Sequence, residues 1–243
     1  MIDIHCHILP DIDDGASDLE ESLEMARMAY MSGVTDIAAT PHFRGQMESV
    51  ELREVIRKRL TLLQTALGQE EIPLRLHEGA EILCLPETPE LAARGLLPTL
   101  GQTNYVLTEF YFDESFTFMD DILSEIAACG YRIVVAHPER YGVIQHNPRL
   151  LERWARMGYV LQLNKGSVLG SFGHRAENAA HDILGLELAH LFASDAHSSH
   201  ARTPHMGALT GWTEEYCDPE LAHILLTENP RRLLQGKSMA GMG

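Results

Sequence analysis

Ile2-Asp3-Ile4-His5-Cys6-His7, near the start of this 243-residue chain, is a short apolar run carrying two imidazoles two residues apart. Side chains alternate faces along a strand, so His5 and His7 are expected on one side and Ile4 and Cys6 on the other. Two imidazoles on one face form a chelate. A single His-x-His is weak evidence, because such pairs also occur as ordinary core or surface histidines. Six further pieces carry the same chemistry: Asp13-Asp14-Gly15, Thr40-Pro41-His42, Glu78-Gly79-Ala80-Glu81, Thr108-Glu109-Phe110, Ala136-His137-Pro138-Glu139-Arg140 and Ser194-Asp195-Ala196-His197. Most of them directly follow a strand-like run, and together they read as one polynuclear metal centre assembled from the whole chain.

Working outward, strand-like runs at 2–6, 34–39, 74–82, 105–109, 132–136, 159–163 and 190–194 alternate with amphipathic stretches. In the first of these, Ser17 and Glu20 form a capping-box pattern, Leu19, Leu23, Ala26 and Tyr30 share a face, and Gly33 ends the helix. Other helices are expected at 50–67, 86–94, 116–129, 148–157, 175–184, 204–212 and 218–226, with 229–235 as a last turn. Seven strand–helix units imply a parallel sheet, because each crossover returns the chain in the same direction. An open sheet would gather ligands at one crevice. Here they follow the ends of nearly every strand: His5 and His7 at the first, then His42, Glu81, Glu109 and His137, with Asp195 and His197 at the seventh. That distribution predicts an α/β fold closed as a seven-stranded, TIM-like barrel whose active site lies at the C-terminal strand ends. The sixth strand ends in Asn164, inside Leu161-Gln162-Leu163-Asn164-Lys165-Gly166-Ser167.

No Pro/Gly/Ser-rich linker divides the sequence, so residues 1–243 are expected to form one domain. The apolar fraction of 45% is ample for a core, and no apolar run approaches the ~20 residues of a membrane span. The N-terminal residues lack the basic and apolar regions of a signal peptide, which predicts a cytoplasmic protein with no membrane insertion. Cys6, Cys84, Cys129 and Cys217 are scattered without metal-type pairing, as reduced thiols would be. A formal charge of -16 argues against nucleic-acid binding, which needs a basic footprint. Carboxylates gathered round divalent cations account for part of that excess, and an acidic surface for the rest.

Histidine and carboxylate donors without cysteine suit manganese, iron or zinc rather than a structural zinc finger. The donors outnumber what one ion can use, and Glu81 is the candidate bridge. Paired ions about 3.5–4 Å apart stabilise both the attacking and leaving oxygens of a phosphoryl displacement, which points to a phosphoesterase. Arg140, Arg44 and Arg202 follow His137, His42 and His197 closely enough to converge on an anion. Thiol-based tyrosine phosphatases need an arginine six positions after the cysteine, and here those positions hold Ile12, Glu90, Val135 and His223. Gly236-Lys237-Ser238 resembles the end of a P-loop, but Arg231 stands where a glycine is required. His205, in Arg202-Thr203-Pro204-His205, is a candidate to orient a ligand or leaving group, whereas the remaining histidines read as surface or supporting residues. Tyr111, Phe112, Phe116 and Phe118 either flank an aromatic substrate or pack the core.

These residues carry a resemblance to the PHP superfamily and, within it, to the manganese-dependent bacterial protein-tyrosine phosphatases encoded with capsule and exopolysaccharide genes. The matching segments are Met1 to Pro10 with Asp13-Asp14-Gly15-Ala16, then Ala39-Thr40-Pro41-His42, His137-Pro138-Glu139-Arg140-Tyr141, Leu161 to Gly173, and Ala193-Ser194-Asp195-Ala196-His197. The resemblance implies a distorted seven-stranded barrel of the PHP fold with three divalent metal ions, manganese first and iron or zinc as alternatives. Carried over by position, His5, His7, Glu81 and Asp195 would hold the first ion, Glu81, Glu109 and His137 the second, and Asp14, His42 and His197 the third. Arg140 and Arg202 would clamp the phosphate, with His42 and His197 beside them in the catalytic set. The implied substrate is a phosphotyrosine protein, the tyrosine-rich tail of a bacterial tyrosine autokinase that controls polysaccharide export. The alternative is a small phosphomonoester such as histidinol phosphate. Asp11 stands where the family usually has glycine.

Overall fold

A computed structural model describes residues 1–44 and 49–240. Among them, the strands in chain order are β1 (Ile2–Cys6), β2 (Asp36–Ala39), β3 (His42–Phe43), β4 (Arg75–Glu78), β5 (Glu81–Leu83), β6 (Tyr105–Glu109), β7 (Arg132–Ala136), β8 (Val160–Asn164) and β9 (Leu191–Ala193). Every neighbouring pair is parallel, in a three-stranded sheet ordered β1-β2-β4 and a six-stranded sheet ordered β3-β5-β6-β7-β8-β9. An isolated parallel bridge, Cys6 to Ala196, joins the end of β1 to the segment after β9. Asp195 N donates to His5 O there, and His7 N to Ala196 O, each at 2.8 Å.

All seven expected strands are present, but the run at 74–82 is two strands, and the second strand also resumes after a break. The interruptions are side by side: Thr40-Pro41 separates β2 from β3, and Gly79-Ala80 separates β4 from β5. Pro41 has no N–H to give to a ladder. A side chain at Gly79 would be crowded, because a Cβ there would lie 2.9 Å from Leu100 and 3.0 Å from Thr40, forcing these neighbours to shift. The consequence is functional, since His42 and Glu81 open β3 and β5 and pair directly across the ladder.

The alternation expected in β1 is also corrected. The β1–β2 register shifts between Asp3 and Cys6, so Ile4 packs with Ile2, Leu107, Val134 and Leu191 whereas Cys6 packs with Ile8, Leu9 and the helices. One apolar cluster draws almost entirely on strand residues, and a larger one fills the space between the strands and the helices. Each fully buried Leu, Ile or Val in them contributes about 1.5–3 kcal/mol of transfer free energy.

Helices occupy the crossovers, α1 (Leu19–Met31), α2 (Ser49–Gln69), α3 (Thr88–Ala93), α4 (Phe116–Ala128), α5 (Gly142–His146), α6 (Leu151–Arg156), α7 (Lys165–Val168) and α8 (His174–Gly185), and α9 (Gly207–Tyr216), α10 (Pro219–His223) and α11 (Asn229–Leu234) follow the last strand. The short α5 and α7 carry no periodicity long enough to read from sequence. In α1 the cap is one residue later than the pattern suggests: Asp18 accepts from Glu21 N, and Glu21 reaches back to Ser17 N and Oγ. The buried face is accordingly Ser22, Met25, Ala26 and Ala29, and Tyr30 is exposed. Gly33 does end the helix, at φ 91°. No helix among the described residues is long and apolar enough to cross a membrane.

Candidate metal centre

All nine proposed metal ligands come together at one end of the strands. His7, Asp14, His42 and His197 form one group of donors, His5, His7, Glu81 and Asp195 a second, and His42, Glu81 and Glu109 a third. Glu81 is the hub. Its Oε1 lies 3.1 Å from His5 Nε2 and 2.9 Å from His137 Nε2, and its Oε2 lies 3.3 Å from His7 Nε2 and 3.2 Å from His42 Nδ1. His137 also approaches Glu109 at 3.9 Å. Three details differ from the expected partition: His7 also joins the group of Asp14, His42 also joins that of Glu81 and Glu109, and His137 borders that group without belonging to it.

Backbone conformation aims two of these side chains. His137 and Asp195, each just past a strand, have φ of 36° and 49°, in the left-handed region that few side-chain-bearing residues adopt. Such strain is retained where the surrounding structure enforces it, and it clusters at functional sites. Asp11 also sits there, at φ 52°, so the position where the family usually has glycine keeps a glycine-like backbone. Its carboxylate turns away to Arg59 at 2.9 Å, not to the ligand group.

Supporting polar residues, one carboxylate and two amides, fix which imidazole nitrogen faces inward. Asp13, not predicted as a site residue, accepts from His7 Nδ1 at 2.8 Å and from His42 N at 2.9 Å. On β8, Gln162 Oε1 is 2.9 Å from His5 Nδ1, Gln162 Nε2 donates to Asn164 Oδ1, and Asn164 Nδ2 donates to Asp195 Oδ2 at 2.5 Å. A chain of hydrogen bonds thus runs from His5 to Asp195 and leaves the His5 Nε2 lone pair for a metal. Removing such a supporting partner typically costs 10–100-fold in metal affinity or activity. The signal was visible, because Gln162 and Asn164 are polar residues at period two in an apolar strand.

Asp195 divides its carboxylate. Oδ1 faces His5 and His197 at 3.5 Å and His7 at 3.7 Å, whereas Oδ2 contacts Arg202 and approaches Arg140 at 3.4 Å. Arg202 keeps a buried Nε donor with no partner. Arg44 does not join these two: it is exposed beside a groove of about 230 Å³ lined also by His42, Leu83, Glu109, Phe110, Tyr111 and Phe112. Phe116 stacks on Trp154 and Phe118 meets Phe110 edge-on, so both are packing residues. His205 is exposed and lies outside every donor group, because its ring turns back to accept from Gly207 N.

The electrostatics fit divalent cations. Burial opposes protonation of His5, but Glu81 and Asp195 outweigh it and raise its pKa to about 9. His42 likewise resists burial through Glu109 and Glu81 and rises to about 10. For His197 burial prevails, reinforced by His7, and the pKa falls to about 4. Burial would raise Asp195, but His5, His137 and Arg202 bring it to about 2, and the imidazoles hold Glu81 far below the usual carboxylate range. Protons on the imidazoles therefore occupy the electrostatic role that bound cations would take. His42 Nδ1 adds a geometric sign: it lies 3.2 and 3.0 Å from carboxylate oxygens of Glu81 and Glu109, yet it has no hydrogen-bond partner. Donors converging without hydrogen-bond geometry suit an ion between them.

Comparison with known proteins agrees with this geometry. Residues 1–235 match the family described as capsular polysaccharide synthesis, CpsB/CapC. The tyrosine-protein phosphatase YwqE of Bacillus subtilis is 36% identical over 239 residues, covering 98% of this chain and 93% of that protein. A crystal structure from work on YwqE of B. subtilis and CpsB of Streptococcus pneumoniae, described as metal-dependent tyrosine phosphatases, is 37% identical. It superposes with a TM-score of 0.88, covering 98% of this chain and 96% of that one. The lactonase Lmo2620 of Listeria monocytogenes, 11% identical with a TM-score of 0.60 over 97% and 94% of the two chains, shares the fold alone.

Proposed function

This chain belongs to the CpsB/CapC family of capsular polysaccharide synthesis, and from that premise we propose that it is a metal-dependent phosphatase acting on phosphotyrosine in proteins. The observation that carries the reading is the junction at Asp195, where one carboxylate borders both the imidazole cluster and two arginines. Three divalent ions, manganese first and iron or zinc as alternatives, would be held by His5, His7, Glu81 and Asp195, by Glu81, Glu109 and His137, and by Asp14, His42 and His197. The three overlapping donor groups support that number. Bound there, such ions supply an activated water and neutralise phosphoryl oxygens.

The protein's own residues do the rest. Arg140 and Arg202 offer planar donor pairs to the phosphoryl oxygens, and the unpartnered Arg202 Nε supplies a further donor. The tyrosinate leaves with a pKa near 10, so it needs less help from a protein acid than an alkyl alkoxide would. No covalent enzyme intermediate is required. Cys6 and Cys84 are fully buried, and burial pushes both thiols well above their ordinary range, which removes them as nucleophiles. The exposed Tyr111 and Phe112 beside His42 and Glu109 suit an aromatic side chain presented by a protein. In this reading the substrate is the tyrosine-rich tail of a bacterial autokinase in the cytoplasm. Residues 1–243 act as one domain, and the two sheets, linked at Cys6 and Ala196, form one distorted seven-stranded barrel.

Turnover of a phosphotyrosine peptide, a phosphoserine peptide and histidinol phosphate, with metal content measured on the same sample, tests the proposal. Strong preference for the phosphotyrosine peptide is expected. Preference for histidinol phosphate would move the substrate class to small phosphomonoesters.

A further inference from the structure

β8 ends in Asn164 rather than in a proposed metal donor, although Asn164 reaches the same centre as the donors of its neighbours. We infer that the segment it leads into, residues 164–173, is the seat that positions the two phosphate-binding arginines, an inference that rests on the reading of Arg140 and Arg202 given above. Consecutive residues make three attachments. Asn164 holds Asp195 Oδ2, the oxygen that both guanidinium groups approach. Lys165, the first residue of α7, donates from Nζ to Thr203 O and, at 3.2 Å, to His205 O, so it fastens the loop that carries Arg202. That loop is closed from its other side by His197 N, which donates to Arg202 O at 2.8 Å.

Gly166 makes the third attachment through Phe172. The turn after α7 folds back, with Ser171 N donating to Gly166 O at 2.7 Å and with Gly170 and Gly173 at φ 74° and 87°. It lays the Phe172 ring directly on Gly166, where a Cβ would lie 2.6 Å from the ring. The ring centroid is then 4.5 Å from the Arg140 guanidinium carbon and 5.5 Å from that of Arg202. Phe112 lies 4.3 Å from the same Arg140 carbon, so two aromatic rings border the Arg140 guanidinium. Phe112 is itself pinned, because Gly142 N donates to its carbonyl at 2.7 Å. An arginine stacked in this way keeps its edge donors free while its plane is fixed, which is what bidentate phosphate recognition needs. Lys165 and Phe172 are positioning residues, acting through the arginines rather than on the phosphoryl group.

The test measures orthophosphate affinity by calorimetry and as competitive inhibition on manganese-loaded protein, together with kcat, KM and metal content. Phe172→Leu should weaken orthophosphate binding by about two- to thirtyfold, the span of a cation–π contact from exposed to desolvated settings, with metal content unchanged. Phe172→Tyr, which keeps the ring, should retain binding. Gly166→Ala should match Phe172→Leu, and the double variant should be no worse than either single one, because both act through the same ring. Lys165→Met carries the same expectation independently if the Phe172 variants fold poorly, and Lys165→Arg should restore part of the loss. Additive losses at Gly166 and Phe172, or wild-type phosphate affinity in Phe172→Leu beside a clear loss in Arg140→Ala, would overturn the seat while leaving the arginine reading intact. Wild-type affinity in both Arg140→Ala and Arg202→Ala would overturn both.

Discussion

Glu81→Gln keeps the shape of the side chain and removes only its charge, at a position that is 1% exposed and touches four of the five clustered imidazoles. Two effects follow. In metal-free protein the buried carboxylate balances the protons on His5 and His42, and breaking a buried pair costs about 3–5 kcal/mol. The imidazoles can answer by releasing protons, so the measured cost should lie below that range and shrink as pH rises. With metal the loss is not recoverable, because a neutral amide oxygen replaces a carboxylate shared by two of the proposed ions. Wild-type protein at a manganese concentration 100 times the dissociation constant gains about 2.7 kcal/mol, or roughly 5–10 °C in Tm for a chain of this size. The Glu81→Gln protein should lose most of that rise, hold about one ion per chain by elemental analysis instead of three, and lose nearly all turnover. Glu109→Gln, at a half-buried site facing only His42 and His137, should lose one ion. A Glu81→Gln protein with three ions and more than a tenth of wild-type kcat/KM would refute the bridging role.

The metal-free protein should also show a distinctive pH profile. His5 and His42 are raised from 6.5 to about 9 and about 10, so the stability they contribute is fully present below pH 6.5 and is lost as pH climbs through those values. His197 has the opposite sign, since its lowered pKa of about 4 removes stability as pH falls from 6.5 towards 4. Thermal melts of chelated protein should therefore peak near pH 6–6.5 and decline towards pH 10, and a Tm that rises steadily between pH 7 and 9.5 would contradict the assignment. Manganese affinity should run the other way, rising with pH as the imidazoles lose the competing protons. Cys6→Ser should retain most activity and iodoacetamide should leave it intact, whereas exhaustive chelation should abolish turnover. Inactivation by alkylation with metal content unchanged would restore a thiol mechanism.

How much of this was legible in the sequence depends on range. Strands β1, β6 and β7 have the expected bounds because each is a short apolar run ended by a turn residue, and local pattern decides it. The division at Gly79 had a local signal, a glycine inside a strand pattern, but its cause is long-range: Leu100 and Thr40 crowd the backbone there. The candidate donors were legible because they stand next to strand-like runs, although His42 and Glu81 open β3 and β5 rather than ending strands. The supporting set was less so. Gln162 shows as a polar residue in an apolar strand, but its partner His5 lies 157 residues away, and Phe172 carries no local signal at all. His205 shows the reverse error, since sequence proximity to Arg202 suggested a site role that the direction of its ring denies.

In the proposed reading, the division of Asp195 would make the metal ligands and the phosphate-binding arginines one unit. The arginines already hold a carboxylate oxygen, and on that reading Asp195 would compete with a phosphotyrosine dianion for their donors. Cations held on the Oδ1 side would draw charge away from Oδ2 and weaken its hold on Arg140 and Arg202. Asn164 still anchors Oδ2 through a neutral amide, so the carboxylate keeps its place while the arginines turn to the phosphoryl group. Phe172 and Lys165 then have a defined task, which is to keep the guanidinium planes oriented during that exchange. Metal loading would thus prepare the arginines for substrate through one carboxylate, without any larger rearrangement of the fold.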